Sequence, residues 1–163
     1  MNNCYSLKLN NWQLYALKEV SSTMDEIKKD CYKSNLNTLL MAYLQTDGRG
    51  RKNNKWISNL GNLFLSVKLN TFHISDAFLL NYLSGIIIYD TINSFLAEKK
   101  NILIKWPNDI LIDKKKIAGI LIDTHSNGSK LFASYIGIGI NIKVAPINLK
   151  YPTTCLNNES LLN

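Results

Sequence analysis

Residues 48–56 read GRGRKNNKW and hold Arg49, Arg51, Lys52 and Lys55 between Gly48, Gly50 and Trp56. Cations at that density do not enter an apolar core unpaired, and the glycines leave the backbone free to change shape. The chemistry that suits such a loop is closure over an anion. The phosphate-cradling glycine loops do not describe it: GxxxxGK[ST] is absent, and in GxGxxG Asn53 stands where the third glycine belongs. The alternative is a solvated charged loop. Trp56 weighs against that, because an exposed indole needs something to pack on.

Three further stretches could carry chemistry. In KWPNDILIDKKKIAG (105–119), Pro107 predicts an extended Trp106 and Asn108-Asp109 a turn or strand start. DKK (113–115) then reads as a hairpin turn that returns the chain antiparallel, with Lys116 at the start of the next strand. Asp109 meets Lys116 only in the right register; otherwise the stretch is a turn and a solvated hairpin tip. In IGIGINI (136–142), strand alternation puts Gly137, Gly139 and Asn141 on one face and the isoleucines on the other. Two glycines there leave a bare floor for a flat ligand, or a seat for closely packed neighbours. In SST (21–23), small hydroxyls at a helix start suit a polar ligand or simple capping. Thr23 with Glu26 fits a capping box, leaving Ser22 freer.

The elements that must position these residues alternate in period. WQLYALKEV (12–20), TLLMAYLQ (38–45) and NLFLSVKLN (62–70) read as strands, the last with Asn62, Phe64 and Ser66 opposite Leu63, Leu65 and Val67. SSTMDEIKKDCYK (21–33) reads as a helix. A second helix starts at a Ser75 or Asp76 cap and runs to about Glu98, with Phe78, Tyr82, Ile86, Tyr89, Ile92 and Leu96 as its apolar face. Short strands follow in ILIKW, DILID, KIAGILID and KLFASYIGIGINIKV. The order predicts a single α/β (α+β) domain over residues 1–163, with a mixed, largely antiparallel sheet and helices on one face.

Composition sets the frame. With 163 residues, 46% apolar and 19% charged, the chain can bury a real core. Its formal charge of +7 makes a phosphate-bearing or polyanionic partner plausible, nucleic acid included. Cys4, Cys31 and Cys155 form no CxxC pair, and His73 and His125 lack ligand-like neighbours, which argues against zinc and against a disulfide framework. Reduced thiols and the absence of a signal-peptide pattern point to the cytoplasm. Asn81, Asp90 and Asn93 interrupt the longest apolar stretch, favouring a buried helix over a membrane span.

Taken together, the stretches resemble the catalytic domain of biotin protein ligases. That family shows a Ser-Thr pair opening the first helix, then Gln-Thr-x-Gly-Arg-Gly-Arg, a Trp, Lys-Trp-Pro-Asn-Asp, Lys-[Ile/Leu]-Ala-Gly-Ile-Leu and Gly-Ile-Gly-Ile-Asn. Here they stand in that order as Ser22-Thr23, QTDGRGR, Trp56, KWPNDI, KIAGIL and GIGIN, across about residues 12 to 156. The resemblance implies that biotin and Mg-ATP form biotinyl-AMP, and that a lysine of a biotin carboxyl carrier protein then takes the biotin.

The same resemblance implies roles. Lys116 contacts the biotin carboxylate and the α-phosphate, with Arg51, Asp109 and Lys105 as further catalytic candidates. Ser22, Thr23, Gln45, Gly48 and Arg49 hold the neutral, polar ureido ring, with Gly119 giving close approach to biotin. Arg49, Arg51, Lys52, Trp56, Asn108, Gly137, Gly139 and Asn141 fall to ATP or the adenylate. Asn108 and Asp109 lie near magnesium and phosphate, and Asp109 orients the acceptor amine. The cationic loop is then a lid that orders on binding and keeps water from a mixed anhydride.

Departures from the family pattern are Asn53 and Asn54, where a glycine and an arginine commonly stand, and Met24, where asparagine is common. The small C-terminal β-barrel and the N-terminal helix-turn-helix of many relatives are not expected here, and with them no DNA-binding repressor function is expected. Lipoate ligase-like activity, adenylate formation with weak transfer, and a basic nucleic-acid-binding module are the alternatives. The last lacks any RNP, KH or zinc-finger signature.

Overall fold

The structure, a computed structural model of the chain, describes residues 5–32, 35–73, 77–96, 100–127, 130–147 and 149–159. Alternating apolar residues build one eight-stranded sheet from β1 (Tyr5–Leu9), β2 (Trp12–Val20), β3 (Asn37–Gln45), β4 (Leu63–His73), β5 (Ile102–Lys105), β6 (Asp109–Ile112), β7 (Lys115–Asn127) and β8 (Lys130–Ile140). Its order is β1-β2-β3-β4-β8-β7-β6-β5. All pairs are antiparallel except β2–β3, which the chain joins by crossing over the sheet through α1 (Thr23–Glu26). The mixed, largely antiparallel sheet is the predicted one. β1 was not foreseen: all five of its residues are exposed, so no burial pattern marks it.

Helices were expected on one face only, but each face of the sheet has its own core, with a long helix on one and the short α1 on the other. On one, α2 (Ala77–Ser94) packs Leu80, Ile88 and Ile92 onto Ile110, Ile112, Ile120, Ile136 and Ile140. On the other, Met24 and Ile27 pack with Leu17, Leu40, Ala42, Ala133 and Tyr135. The alternation read in β4 holds, with Phe64 and Ser66 fully buried on the α1 side. The alternation in β8 holds as well, with Ile136 and Ile140 turned to the α2 side.

Two helix readings need correction. The helix expected over 21–33 is one turn, Thr23–Glu26, followed by a 3-10 turn at Asp30–Tyr32. There is no capping box. Ser22 is the N-cap residue and makes no side-chain cap bond, while Glu26 is taken by Lys29 and Tyr32. Thr23 instead donates both its N–H and its hydroxyl to Gln45 Oε1, a partner that local sequence cannot reveal. In α2 the buried line is Leu80, Ser84, Ile88 and Ile92, and the helix ends at Ser94. Tyr82 and Ile86, expected in the core, are 46% and 49% exposed, because a helix apolar on every side gives periodicity nothing to select. Tyr89 and Leu96 do pack partly against the core. The Ser75 or Asp76 cap, the Phe78 side chain and Glu98 lie outside the described residues.

Behind β7 the C-terminal segment is fastened to the sheet. Lys116 N–H donates to the Pro152 carbonyl, and Thr154 N–H to the Lys116 carbonyl, both at 2.9 Å. In α3 (Leu156–Glu159) Leu156 enters the core, and Glu159 is buried against the Thr154 hydroxyl and Lys100. Burial alone would push the Glu159 carboxyl up. The hydrogen bonds from Thr154 and Lys100, with the charges of Lys100 and Lys115, outweigh it and hold the pKa below the ordinary value. No helix among the described residues is long and apolar enough to cross a membrane. Cys31 and Cys155 are free thiols.

Candidate functional site

The predicted hairpin forms at Asp113 and Lys114, both with positive φ (48° and 65°), the turn geometry that matches strand twist. β7 therefore begins at Lys115. A bulge between Ile110 and Leu111 shifts the register, so that Asp109 faces Gly119 and Leu111 faces Lys116. The result settles what the sequence left open: Lys116 Nζ lies 2.8 Å from Asp109 Oδ1. The Lys116 side chain is 16% exposed. Its ammonium also stands 5.4 Å from the ring centres of Trp56 and Tyr151.

This cation stands on a cavity of about 570 Å³ whose floor is the glycine strip. Gly119 faces Gly139 across β7 and β8. The floor is not bare. A Cβ on Gly139 would lie 2.4 Å from Trp56 Cε2, and one on Gly119 would lie 2.7 Å from Trp56 Cζ3. At Gly137 the neighbour is Met24 Cγ, at 2.7 Å. Close packing thus governs these positions: the indole lies on two glycines and the Met24 thioether on the third. Asn141 departs further from expectation, since β8 ends at Ile140. Its Nδ2 donates to the Thr154 carbonyl at 3.0 Å, while its buried Oδ1 has no hydrogen-bond partner among the described residues. It borders a recess of about 20 Å³ shared with Trp56, Lys116 and Tyr151. The Trp56 indole N–H is likewise unpaired.

At the polar end, one chain of hydrogen bonds fixes every group but one. Ser66 donates to Thr23 at 2.9 Å and Thr23 to Gln45 Oε1 at 3.0 Å. Gln45 Nε2 donates to Ser58 at 3.0 Å, and Ser58 to the Trp56 carbonyl at 3.3 Å. The Ser22 hydroxyl, 1% exposed and on the cavity lining, is the member without a partner among the described residues. Gly48 stands behind this lining, where a Cβ would strike the Trp56 carbonyl at 2.6 Å.

The cationic loop is a small hairpin closed by Trp56 N–H on the Gly48 carbonyl (2.8 Å) and Gly50 N–H on the Asn54 carbonyl (2.7 Å). Its tip carries positive φ at Lys52 (53°) and Asn53 (60°), a conformation asparagine tolerates better than most residues, which explains Asn53 at the glycine position. Arg49 is tied to Asp25 and, at 3.4 Å, to Asp123. Arg51 donates to Asn108 Oδ1 at 3.1 Å. Lys52 lines the cavity, whereas Lys105, at the exposed end of β5, does not. Of the two residues expected near magnesium, Asn108 accepts from Arg51 and donates to the Ile120 carbonyl, and Asp109 pairs with Lys116. No cluster of three or more His, Cys, Asp or Glu residues that could hold a metal occurs among the described residues.

Sequence reasoning missed Tyr151 and Leu149 on the lining, and Ser58 in the hydrogen-bond chain. Segment 149–153 has no periodicity to read, and its backbone pairing with Lys116 helps to place it.

The model of the biotin/lipoate A/B protein ligase family matches residues 16–141. The biotin–[acetyl-CoA-carboxylase] ligase of Paracoccus denitrificans is 32% identical over 108 residues, covering 66% of this chain and 45% of that protein. Biotin–protein ligase 2 of Arabidopsis thaliana is 30% identical over 142 residues, covering 85% and 41%. The chain thus spans less than half the length of either relative. Among solved structures, the biotin protein ligase of Leishmania major in complex with biotinyl-5-AMP superposes with a TM-score of 0.77 at 30% identity, over 89% of this chain and 63% of that one. The Aquifex aeolicus enzyme in complex with biotin and ATP gives 0.70 at 31%, over 90% and 60%.

Proposed function

The chain belongs to the biotin/lipoate A/B protein ligase family, and from that premise we propose that it activates biotin with ATP and passes it to a lysine of a biotin carboxyl carrier protein. A biotin carboxylate oxygen attacks the α-phosphorus, pyrophosphate leaves, and biotinyl-AMP remains. The carrier amine then attacks the acyl carbon, the C–O bond to AMP breaks, and the amine proton is lost to water or a nearby base.

One observation carries the reading: a shielded cation, Lys116, stands on a cavity whose far end is neutral and polar at Ser22 and whose rim is cationic. Bringing a carboxylate to a triphosphate needs positive charge in a site with little water. On this reading Lys116 exchanges Asp109 for the reacting oxygens, and Arg51 and Lys52 offset phosphate charge. Arg49 reaches the ligand by leaving its acids or serves it through the backbone. The Ser22 hydroxyl and the loop amides take the ureido group. The unpaired Asn141 Oδ1 is an acceptor suited to an adenine amino group, with Trp56 alongside. Magnesium would enter on the phosphates and offset their charge, and Asp109, once Lys116 has left it, becomes a carboxylate free to face it.

The test is pyrophosphate release by purified protein with ATP, magnesium and biotin, followed by labelling of a carrier domain. Release driven by lipoate in preference to biotin would move the assignment to lipoate ligation. No release, together with no biotin binding by calorimetry, would end it.

A further inference from the structure

We infer that Tyr151 is a positioning residue for Lys116, an inference that rests on the proposed adenylation chemistry. It closes an aromatic clamp whose second jaw is Trp56. The Lys116 ammonium stands 5.4 Å from each ring centre, within the range in which a ring face attracts a cation. Its Asp109 partner at 2.8 Å completes the set. The two rings differ from Asp109 in kind. They screen the ammonium from water and attract it without neutralising it, so they remain useful after Asp109 has yielded to a substrate anion.

The placement of Tyr151 is built into the backbone. A parallel bridge pairs Lys116 with Thr153, and the Pro152 carbonyl accepts the Lys116 N–H. The residue before Pro152 is thereby carried to the flank of the Lys116 side chain. The other ring, Trp56, rests on Gly119, where a Cβ would also come within 3.4 Å of Lys116 Nζ. Lysine has a long, freely rotating stem, and holding its charge at one point is the task such a clamp performs. Tyr151 is itself 46% exposed, so it can be replaced with little disturbance of the core.

The experiment compares Tyr151→Phe and Tyr151→Leu in biotin-dependent pyrophosphate release. The ring is what acts, so the phenylalanine variant stays within about twofold of the parent while the leucine variant loses roughly 3- to 30-fold in kcat. The KM for ATP stays within about twofold, since the residue works through Lys116 and not as a nucleotide seat. In a Lys116→Ala background Tyr151→Leu has no further effect. A leucine variant equal to the parent, an equal loss in the Lys116→Ala background, or a loss in the phenylalanine variant overturns the inference.

A readout independent of catalysis separates its failure from that of the proposed function. The NMR signals of the Lys116 ε-methylene, shifted upfield by the nearby rings, lose part of that shift in Tyr151→Leu and keep it in Tyr151→Phe. An unchanged shift refutes the clamp even in an active enzyme. A lost shift sustains it even if no pyrophosphate is released by the parent protein.

Discussion

Gly139→Ala is the substitution whose outcome the geometry defines best. The new Cβ would lie 2.4, 2.6 and 2.8 Å from Trp56 Cε2, Cζ2 and Nε1. Carbon atoms rest about 3.5–4.0 Å apart, so one side must retreat by about 1 Å. The backbone of Gly139 cannot, because β8 is paired to Phe64 of β4 on one side and to Gly119 of β7 on the other. Trp56 can, because it closes a hairpin loop outside the sheet. Overpacking of this size costs about 1–3 kcal/mol, and here the cost falls on closure of the loop. Loop opening should then rise by about 5- to 150-fold while global stability hardly changes. Limited trypsin digestion measures this directly, since Arg51, Lys52 and Lys55 lie on the loop. Gly137→Ala is the control: it presses on the flexible Met24 thioether at 2.7–2.9 Å and leaves loop cleavage unchanged. If Gly139→Ala instead lowered the urea midpoint with no change in loop cleavage, the strain would reside in the sheet and the reasoning would be refuted.

Three further outcomes follow from the same contacts. Lys116→Ala should lower biotin-dependent pyrophosphate release by about 10²- to 10³-fold with the fold intact by circular dichroism; a loss under threefold would remove Lys116 from the chemistry. The Glu159 carboxyl titrates below its ordinary 4.5 in the folded state, so its stabilisation is complete above that pH and fades as pH falls through the folded value. The urea midpoint of Glu159→Gln should therefore trail the parent at neutral pH and converge with it in acid, and a gap independent of pH would contradict this. Asn53→Ala, at φ 60°, should cost the loop about 1 kcal/mol and speed tryptic cleavage about fivefold, whereas Asn53→Gly should not; equal rates would mean the turn is unstrained.

What could be read in the sequence is what short-range physics decides. Strand alternation fixed which side of β8 carries Gly137 and Gly139, and DKK at 113–115 marked the hairpin, whose turn is Asp113 and Lys114. The failures have separate causes. Thr23 with Glu26 satisfied a local capping rule, but Gln45 supplies a buried acceptor that takes both Thr23 donors. Periodicity could not orient α2, since Leu83, Ile86 and Ile87 are as apolar as the residues that are buried. Whether Asp109 meets Lys116 depended on a bulge, and one extra residue in a strand turns every later side chain to the other face.

The motifs named the residues of the site but not their state. Lys116, the two loop arginines and the glycine strip are each engaged by the chain's own groups: Lys116 by Asp109, Arg49 by Asp25 and Asp123, Arg51 by Asn108, and the strip by Trp56 and Met24. An isolated lysine on that floor would be a desolvated charge, and isolated glycines would line a void. Both are costly enough that a folded chain supplies stand-ins. Binding at such a site is exchange, so the affinity for an anion is set by the difference between its contacts with Lys116 and those of Asp109. Replacing Asp109 with asparagine removes the competing charge but leaves the shape. It should tighten binding of a carboxylate or phosphate ligand at Lys116, by calorimetry, even where it slows the reaction. Weaker binding would mean that Asp109 holds Lys116 in place and does not compete for it.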